Sequence, residues 1–488
     1  MIDFADRPAD EADEREEFAS EMFSVFRADN EPTAMEAREQ PRAPDITLDA
    51  VNTSEGQTDL ANARRLAHWH RDDIRYCHAW KRWLAWDGCR FAPDEDGAVV
   101  RLAKAVADRI WNDARQFDDR NALNFAARTA SGSGINAMLK LAQSDVPILP
   151  EEMDANRWLL NCRNGTVDLR TGELREHRRE DSLTKVCATE FDPHAFAPTW
   201  ETFLDDDFDR DRELIAFVQR LMGYAVCGDV REQVLPIFHG SGANGKSTLL
   251  NAVMETLGTD YAGPAPKDLL MVRKGDSHPT ELASLFGRRL VVSMETEGNA
   301  ALAESLVKQL TGGDAISCRR MREDFWSFQP SHTLILCTNH KPRVKGSDHA
   351  IWRRLRLVPF AVQFSGDRQD KSLPDKLRGE REGILAWLVR GCQQWQQLGL
   401  ANPDAVLQAT AEYRNDSDVL GRFIEERCCV GEGFEARFKQ LFDSFEEWAS
   451  DAGERTPSKR ALGQMLTEKG FIARQSSGRV YTGIGMKE

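Results

Sequence analysis

Hydrophobic positions along this chain recur in several regimes, and the changes between them outline its organisation. Residues 1–60 hold few large apolar side chains and predict a segment without a core of its own. Over residues 62–130 the spacing turns helical, with Arg64–Arg71 and Val99–Trp111 amphipathic and rich in Trp and Arg. Between them, Trp83–Phe91 alternates as a short hairpin does. A second hairpin spans Asn164–Leu174 and turns at Thr171-Gly172. Beyond Pro198 the chain is helical again, through Leu214–Tyr224. Four apolar runs follow: Val234–Phe238, Arg289–Met294, Thr333–Thr338 and Arg356–Phe360. Continuous runs of this kind predict parallel strands buried on both faces. Pro236 sits awkwardly in a strand that should be central. Residues 383–427 read as helical. The last sixty predict a further small unit: a helix over Phe438–Trp448 and another capped by Ser458 with Leu462, Met465 and Leu466 on one face. A hairpin then turns at Ser477-Gly478. No internal repeat is present.

At 488 residues the chain has room for about three domains. Its net charge of −15 misleads as a whole-chain figure. Residues 1–60 hold 17 acidic and 5 basic side chains, net −12, so the other 428 residues carry only −3. An acidic total is therefore no argument against binding nucleic acid. The acidic segment reads equally as a partner tether or as a solvated extension. No apolar run reaches the roughly 20 residues that span a bilayer. The start, Met1-Ile-Asp-Phe-Ala-Asp6, lacks the basic and apolar regions of a signal peptide. The ten cysteines form no C-x-x-C pair, which predicts reduced thiols in a cytoplasmic protein rather than a zinc site.

Chemistry enters at Gly240-Ser241-Gly242-Ala243-Asn244-Gly245-Lys246-Ser247, followed by Thr248. The pattern G-x-x-x-x-G-K-[ST] is that of a phosphate-binding loop. Its glycines let backbone N–H groups turn inward at the phosphates. Lys246 brings a charge to the β and γ oxygens, and the Ser247 hydroxyl can ligate Mg²⁺. The helix beginning there aims its positive end at the same anion. ATP and Mg²⁺ are thus the expected ligands. Hydrolysis needs an acid near the metal and a group to orient water. The run 289–294 leads into Glu295-Thr-Glu297, two carboxylates on one face of an extended backbone. Glu295 is assigned to the Mg²⁺ shell through water and Glu297 to the attacking water. The two roles can be exchanged, and a surface acidic pair is the alternative. Asn339, after the next run, can reach the γ-phosphate or the water. Arg353 and Arg354 are candidates for an arginine that acts across a subunit boundary, or are simply solvated.

Taken in order, the loop, Arg288–Gly298, Leu310–Asp314, Leu336–Pro342 and Ile351–Arg354 resemble the superfamily 3 helicases. More narrowly, they resemble the helicase half of phage and plasmid primase–helicases related to poxvirus replicative helicases. Leu221–Asp229 fits the same group, and the resemblance covers roughly residues 65–365. It implies an AAA+-type core, a ring that is a homo-hexamer, ATP sites between subunits and movement on single-stranded or forked DNA. It makes Asn339 the sensor and Arg353 or Arg354 the finger. It also implies a DNA-gripping hairpin between the acidic motif and the sensor strand. That interval holds Arg319, Arg320 and Arg322, followed by Phe325-Trp326. Basic residues there can track phosphates and an aromatic can stack on a base, although packing of both aromatics against the core is as good a reading. The larger family members carry a primase module, which residues 1–60 are too short to hold. Priming would then fall to a separately encoded primase.

The fold class expected is therefore α/β: an AAA+-type P-loop core flanked by an N-terminal α+β domain and a C-terminal winged-helix-like domain. Boundaries are expected at 1–60 (acidic), 61–197, 198–365 (ATPase core), 366–430 (helical connector) and 431–488. Residues 455–488 hold 7 basic and 2 acidic side chains, which suits DNA contact through Lys459 and Arg460. A lid or protein-contact role is the alternative for that unit. The function expected is an ATP-dependent ring-forming DNA helicase for phage, prophage or plasmid replication. The alternative is an AAA+ ATPase that remodels protein complexes without unwinding.

Overall fold

The computed structural model describes residues 53, 55–116, 119–273, 279–295, 300–319, 324–344, 349–475 and 478–487. The described residues form two compact units, one drawn from within 1–66 and 103–141, the other from within 67–102 and 142–488. In the first, helix Arg120–Thr129 is capped by Asp119, whose side chain accepts from Asn121 N. Asn62 Nδ2 donates to Thr129 Oγ1 at 2.9 Å, and Arg65 Nη1 donates to Gly56 O and Asn62 Oδ1.

The second unit is built on a five-stranded, wholly parallel sheet: β1 (Leu235–His239), β2 (Ala262–Pro264), β3 (Leu290–Glu295), β4 (Thr333–Thr338) and β5 (Leu355–Pro359), in the order β5-β1-β4-β3-β2. The molecule is thus mixed α/β. Every residue of β4 is buried, as the unbroken apolar run predicts. Pro236 is tolerated in a central strand for a local reason. Leu235 N donates to Arg354 O on the β5 side, so the missing N–H of Pro236 falls toward β4. Pairing with β4 starts only at Ile237, one residue later.

Helices Arg212–Cys227, Lys246–Leu257 and Arg381–Leu398 close one core with the sheet, through Phe217, Leu221, Leu249, Val253, Leu385 and Leu388. Arg289, just before β3, fastens this core to strand Leu159–Cys162. Its guanidinium donates to Val226 O and Leu159 O at 2.6 Å each and lies over the Tyr261 ring.

Two boundaries differ from the sequence expectation. Residues 61–197 do not form one compact domain. Tyr76 N donates to Val146 O, Phe91 N to Leu183 O and Asn161 Nδ2 to Cys89 O, so the hairpin region joins the sheet-bearing unit. At the other end, strand Cys428–Arg437 runs through the expected division at 430/431 and pairs with Arg479–Met486, Cys428 opposite Met486. The preceding helix, Val419–Arg427, packs its Leu420 and Phe423 into the same core as Phe445, Trp448, Leu462 and Tyr481. The C-terminal elements thus run helix, strand, helix (Phe438–Asp451), helix (Lys459–Glu468) and hairpin (Ile472–Gln475, Arg479–Met486). Ser477 of the expected turn lies outside the described residues. Among the described residues no helix is long and apolar enough to cross a membrane.

Candidate nucleotide site

The carboxyl ends of β1, β4 and β3 lie side by side, which is where open parallel sheets bind ligands. In register, His239 stands opposite Thr338, and Thr338 opposite Glu295. Glu295 therefore ends the strand two places from the one that launches the glycine loop, about 10 Å across the sheet. Nothing is described of its side chain, and Glu297 lies outside the described residues.

From His239 the chain enters residues 240–245 and then the helix Lys246–Leu257. Gly242, Ala243 and Gly245 take left-handed backbone, with φ of 100°, 49° and 75°. A Cβ on Gly240 would stand 2.0 Å from Asn244 Nδ2 and 2.4 Å from Phe360 O, so no side chain fits there. The loop is tied down by the segment after β5. Phe360 N donates to His239 O and Phe364 N to Ala243 O, both at 2.8 Å, while Asn244 Nδ2 donates to Phe360 O and Gln363 Nε2 to Ser241 Oγ. This strap has no signature in the sequence, because its bonds are mainly to backbone.

Lys246 folds back under the loop. Its Nζ donates to Gly240 O at 2.8 Å, to Asn244 Oδ1 at 2.7 Å and to Asn339 Oδ1 at 3.1 Å. Burial holds its pKa below the ordinary lysine value, against the pull of Cys337 and Asp207. The three partners are neutral oxygens, the kind that phosphate oxygens would replace. Burial likewise lowers His239, helped by Lys341, Lys246 and His340 nearby. Positive charge thus gathers at the strand ends, and Ser247 and Asn339 are exposed beside it. These residues fit a nucleotide phosphate chain, with Ser247 exposed beside it and its hydroxyl hydrogen-bonded to the Cys337 thiol, a bond that a metal ion would replace.

The two arginines are placed differently. Arg354 is buried; its Nε donates to Thr311 Oγ1, its Nη1 to Ala350 O and its Nη2 to Gln233 Oε1. Arg353 is exposed and bonds Gln233 Oε1 at 3.1 Å. Strands Ile316–Cys318 and Trp326–Phe328 pair antiparallel and form the base of the expected hairpin. Arg319 lies over the exposed Phe325 ring at 5.0 Å, whereas Trp326 packs edge-on against Phe286. Arg320 and Arg322 lie outside the described residues. Lys459 and Arg460 are exposed at the start of the Lys459–Glu468 helix, with Lys459 over the Phe442 ring.

Comparison with known proteins points the same way as the motifs. The D5 N terminal like family matches residues 63–209, and a family of unknown function (DUF5906) matches residues 238–354. A protein of Acanthamoeba polyphaga mimivirus named "Putative helicase" is 28% identical over 302 residues, covering 57% of this chain and 31% of its own length. A protein of African swine fever virus named "Putative primase" is 24% identical over 326 residues, covering 61% of this chain and 34% of its own. The chain thus resembles, over these segments, the D5 N terminal like family and large-DNA-virus proteins named as helicases and primases. It spans about a third of the length of these curated relatives. Among solved structures, the NrS-1 C terminal region aligns at 10% identity and a TM-score of 0.44, covering 84% of this chain and 96% of that one.

One residue that sequence reasoning missed stands against the loop. Asp207, the last residue of helix Pro198–Asp207, is 1% exposed, and its carboxyl faces Gly245. A carboxylate at the end of a helix gives no sign that it will be buried under a phosphate loop 38 residues later.

Proposed function

We propose that this chain is an ATP-dependent, ring-forming superfamily 3 DNA helicase for phage, prophage or plasmid replication, moving on single-stranded DNA. The observation that carries the reading is the meeting of Lys246 and Asn339 beneath a glycine loop, at the carboxyl edge of a parallel sheet. In this reading the sheet and its helices are an AAA+-type core. Residues 240–248 hold the phosphates of ATP. Ser247, with Glu295 through water, holds Mg²⁺, which when bound neutralises charge on the phosphate oxygens. Glu297 orients the attacking water, and Asn339 reads the γ-phosphate and passes its state to β4.

Arg353, rather than Arg354, is assigned as the finger that reaches the neighbouring subunit's ATP in a hexameric ring. Its exposure supports the choice, while Arg354 is occupied inside its own subunit. Arg319, Arg320 and Arg322 are assigned to the DNA backbone, and the exposed Phe325 under Arg319 offers a stacking face. The C-terminal order of helix, strand, helix, helix and hairpin supports a winged-helix-like unit that brings Lys459 and Arg460 to duplex DNA. The protein works in the cytoplasm of its host.

ATP hydrolysis with and without single-stranded DNA, wild type beside Lys246→Ala, tests the proposal, followed by strand separation on a forked duplex. Hydrolysis that needs Lys246, rises with DNA and accompanies unwinding is expected. Lys246-dependent hydrolysis that ignores DNA would replace the helicase with a protein-remodelling ATPase.

A further inference from the structure

The helix Pro198–Asp207 ends against the back of the nucleotide loop. Phe208 packs on Phe360, and Phe360 on Phe238 of β1, so an aromatic stack runs from the helix end through the strap to the central strand. Beside this stack, a Cβ added to Gly245 would stand 2.0 Å from Asp207 Oδ1 and 2.5 Å from Oδ2. Both oxygens are buried, and neither has a hydrogen-bond partner among the described residues. Lys246, the obvious counter-ion, is already held by Gly240, Asn244 and Asn339.

We propose that Asp207 is a positioning residue for the phosphate loop, its carboxyl forming the wall against which Gly245 takes the left-handed turn into the helix. The inference rests on the nucleotide reading of residues 240–248 and deepens it. Gly245 is the residue whose φ of 75° aims the first N–H groups of the helix at the phosphates. Anything that displaces it redirects those donors. The carboxyl suits this place only as the neutral acid, for two reasons. An ionised carboxylate with no partner is costly to bury. It would also repel the phosphates arriving on the other side of Gly245.

The surroundings favour that state. Burial pushes Asp207 up to about 8, with Lys246 pulling down and Asp206 pushing up further. These are the charged groups that face it, Lys246 from the loop helix and Asp206 from its own helix. At neutral pH the group is therefore protonated, and it ionises in mildly alkaline solution. Nucleotide affinity should then fall as pH rises through that range, by a route that a neutral amide of the same shape does not share.

The test measures binding of a fluorescent ATP analogue with Mg²⁺ to the full chain at pH 6.5 and pH 9. Wild type, Asp207→Asn, Asp207→Ala and Lys246→Ala are compared, and the melting temperature of each ligand-free protein is recorded. Wild-type affinity is expected to weaken about tenfold between the two pH values. Asp207→Asn should bind within about twofold of wild type at pH 6.5 and keep that affinity at pH 9. Asp207→Ala, which removes the wall behind Gly245, should bind about tenfold more weakly than wild type at pH 6.5. Equal pH profiles for wild type and Asp207→Asn would overturn the inference, as would wild-type affinity in a folded Asp207→Ala. Failure of wild type to show any Lys246-dependent binding would instead overturn the nucleotide reading itself.

Discussion

Lys246 Nζ and Asn339 Oδ1 are 3.1 Å apart, although 93 residues separate them in the chain. The contact joins the loop after β1 to the end of the adjacent strand β4, so whatever draws Lys246 toward a phosphate releases Asn339. The two residues therefore act as one unit, and their removal should not be additive.

Asn339→Ala is expected to lower ATP turnover by about 10²-fold, the usual scale for one donor or acceptor aimed at developing charge. ATP binding should stay within a few-fold of wild type, because Lys246 keeps Gly240 O and Asn244 Oδ1 as partners. Steady-state kcat and KM separate the two effects. A raised KM with unchanged kcat would make Asn339 a binding residue and end its proposed role as sensor.

Arg353 and Arg354 should behave oppositely. Arg354→Ala removes buried hydrogen bonds to Thr311 Oγ1 and Ala350 O and should cost about 2 kcal/mol of stability. Arg353→Ala, at an exposed position, should change stability by less than about 0.5 kcal/mol. If Arg353 acts across a subunit boundary, its loss should nonetheless cut turnover by about 10³-fold. Mixing Arg353→Ala with Lys246→Ala subunits should restore part of the activity, since each supplies what the other lacks. No recovery in the mixture would count against action in trans.

His332, just before β4, makes a prediction about acid. It is buried, and neither ring nitrogen has a hydrogen-bond partner among the described residues. Burial pushes it from 6.5 down to about 4. The unfolded chain therefore takes up the proton first, and stability falls as pH drops from about 6.5 toward 4. The full effect is about 3 kcal/mol. Urea unfolding of wild type and His332→Leu across this range should show the gap between them shifting in the variant's favour toward pH 4. Parallel curves would mean that the folded protein accommodates the imidazolium.

Much of this site was legible before any coordinates. The run 333–338 is β4 to the residue, because a strand buried on both faces leaves an unbroken apolar signature. The loop is legible because glycine, lysine and serine each have a separate mechanical reason to be there. What was not legible depends on contacts distant in sequence. Asp207 and the strap Phe360–Phe364 touch the loop from 38 residues before Gly245 and more than 100 after it, through contacts that demand no particular side-chain pattern. β2, Ala262-Gly263-Pro264, is too short and too small-chained to read as a strand, and only pairing with β3 makes it one. The division at 430/431 failed for a related reason. A strand rich in Gly and Glu, Cys428–Arg437, resembles a linker until its partner at the far end of the domain is known.

Phe325 and Trp326 are neighbours in sequence with different fates, and that difference gives a test of the proposed DNA hairpin. Trp326 packs against Phe286 and Phe328, so Trp326→Ala should cost about 2 kcal/mol of stability. Phe325 is 60% exposed and covered on one face by Arg319, so Phe325→Ala should leave stability within about 0.5 kcal/mol of wild type. An exposed aromatic under an arginine is a stacking face for a base, and stacking of this kind is worth about 1–3 kcal/mol per base. Phe325→Ala should therefore weaken binding to single-stranded DNA by about tenfold or more, and Arg319→Ala should weaken it too, with a shallower dependence on salt. The measurement is fluorescence anisotropy of a labelled oligonucleotide at two salt concentrations, beside a melting curve. If Phe325→Ala binds DNA as wild type does, the hairpin tip is not where the strand is held.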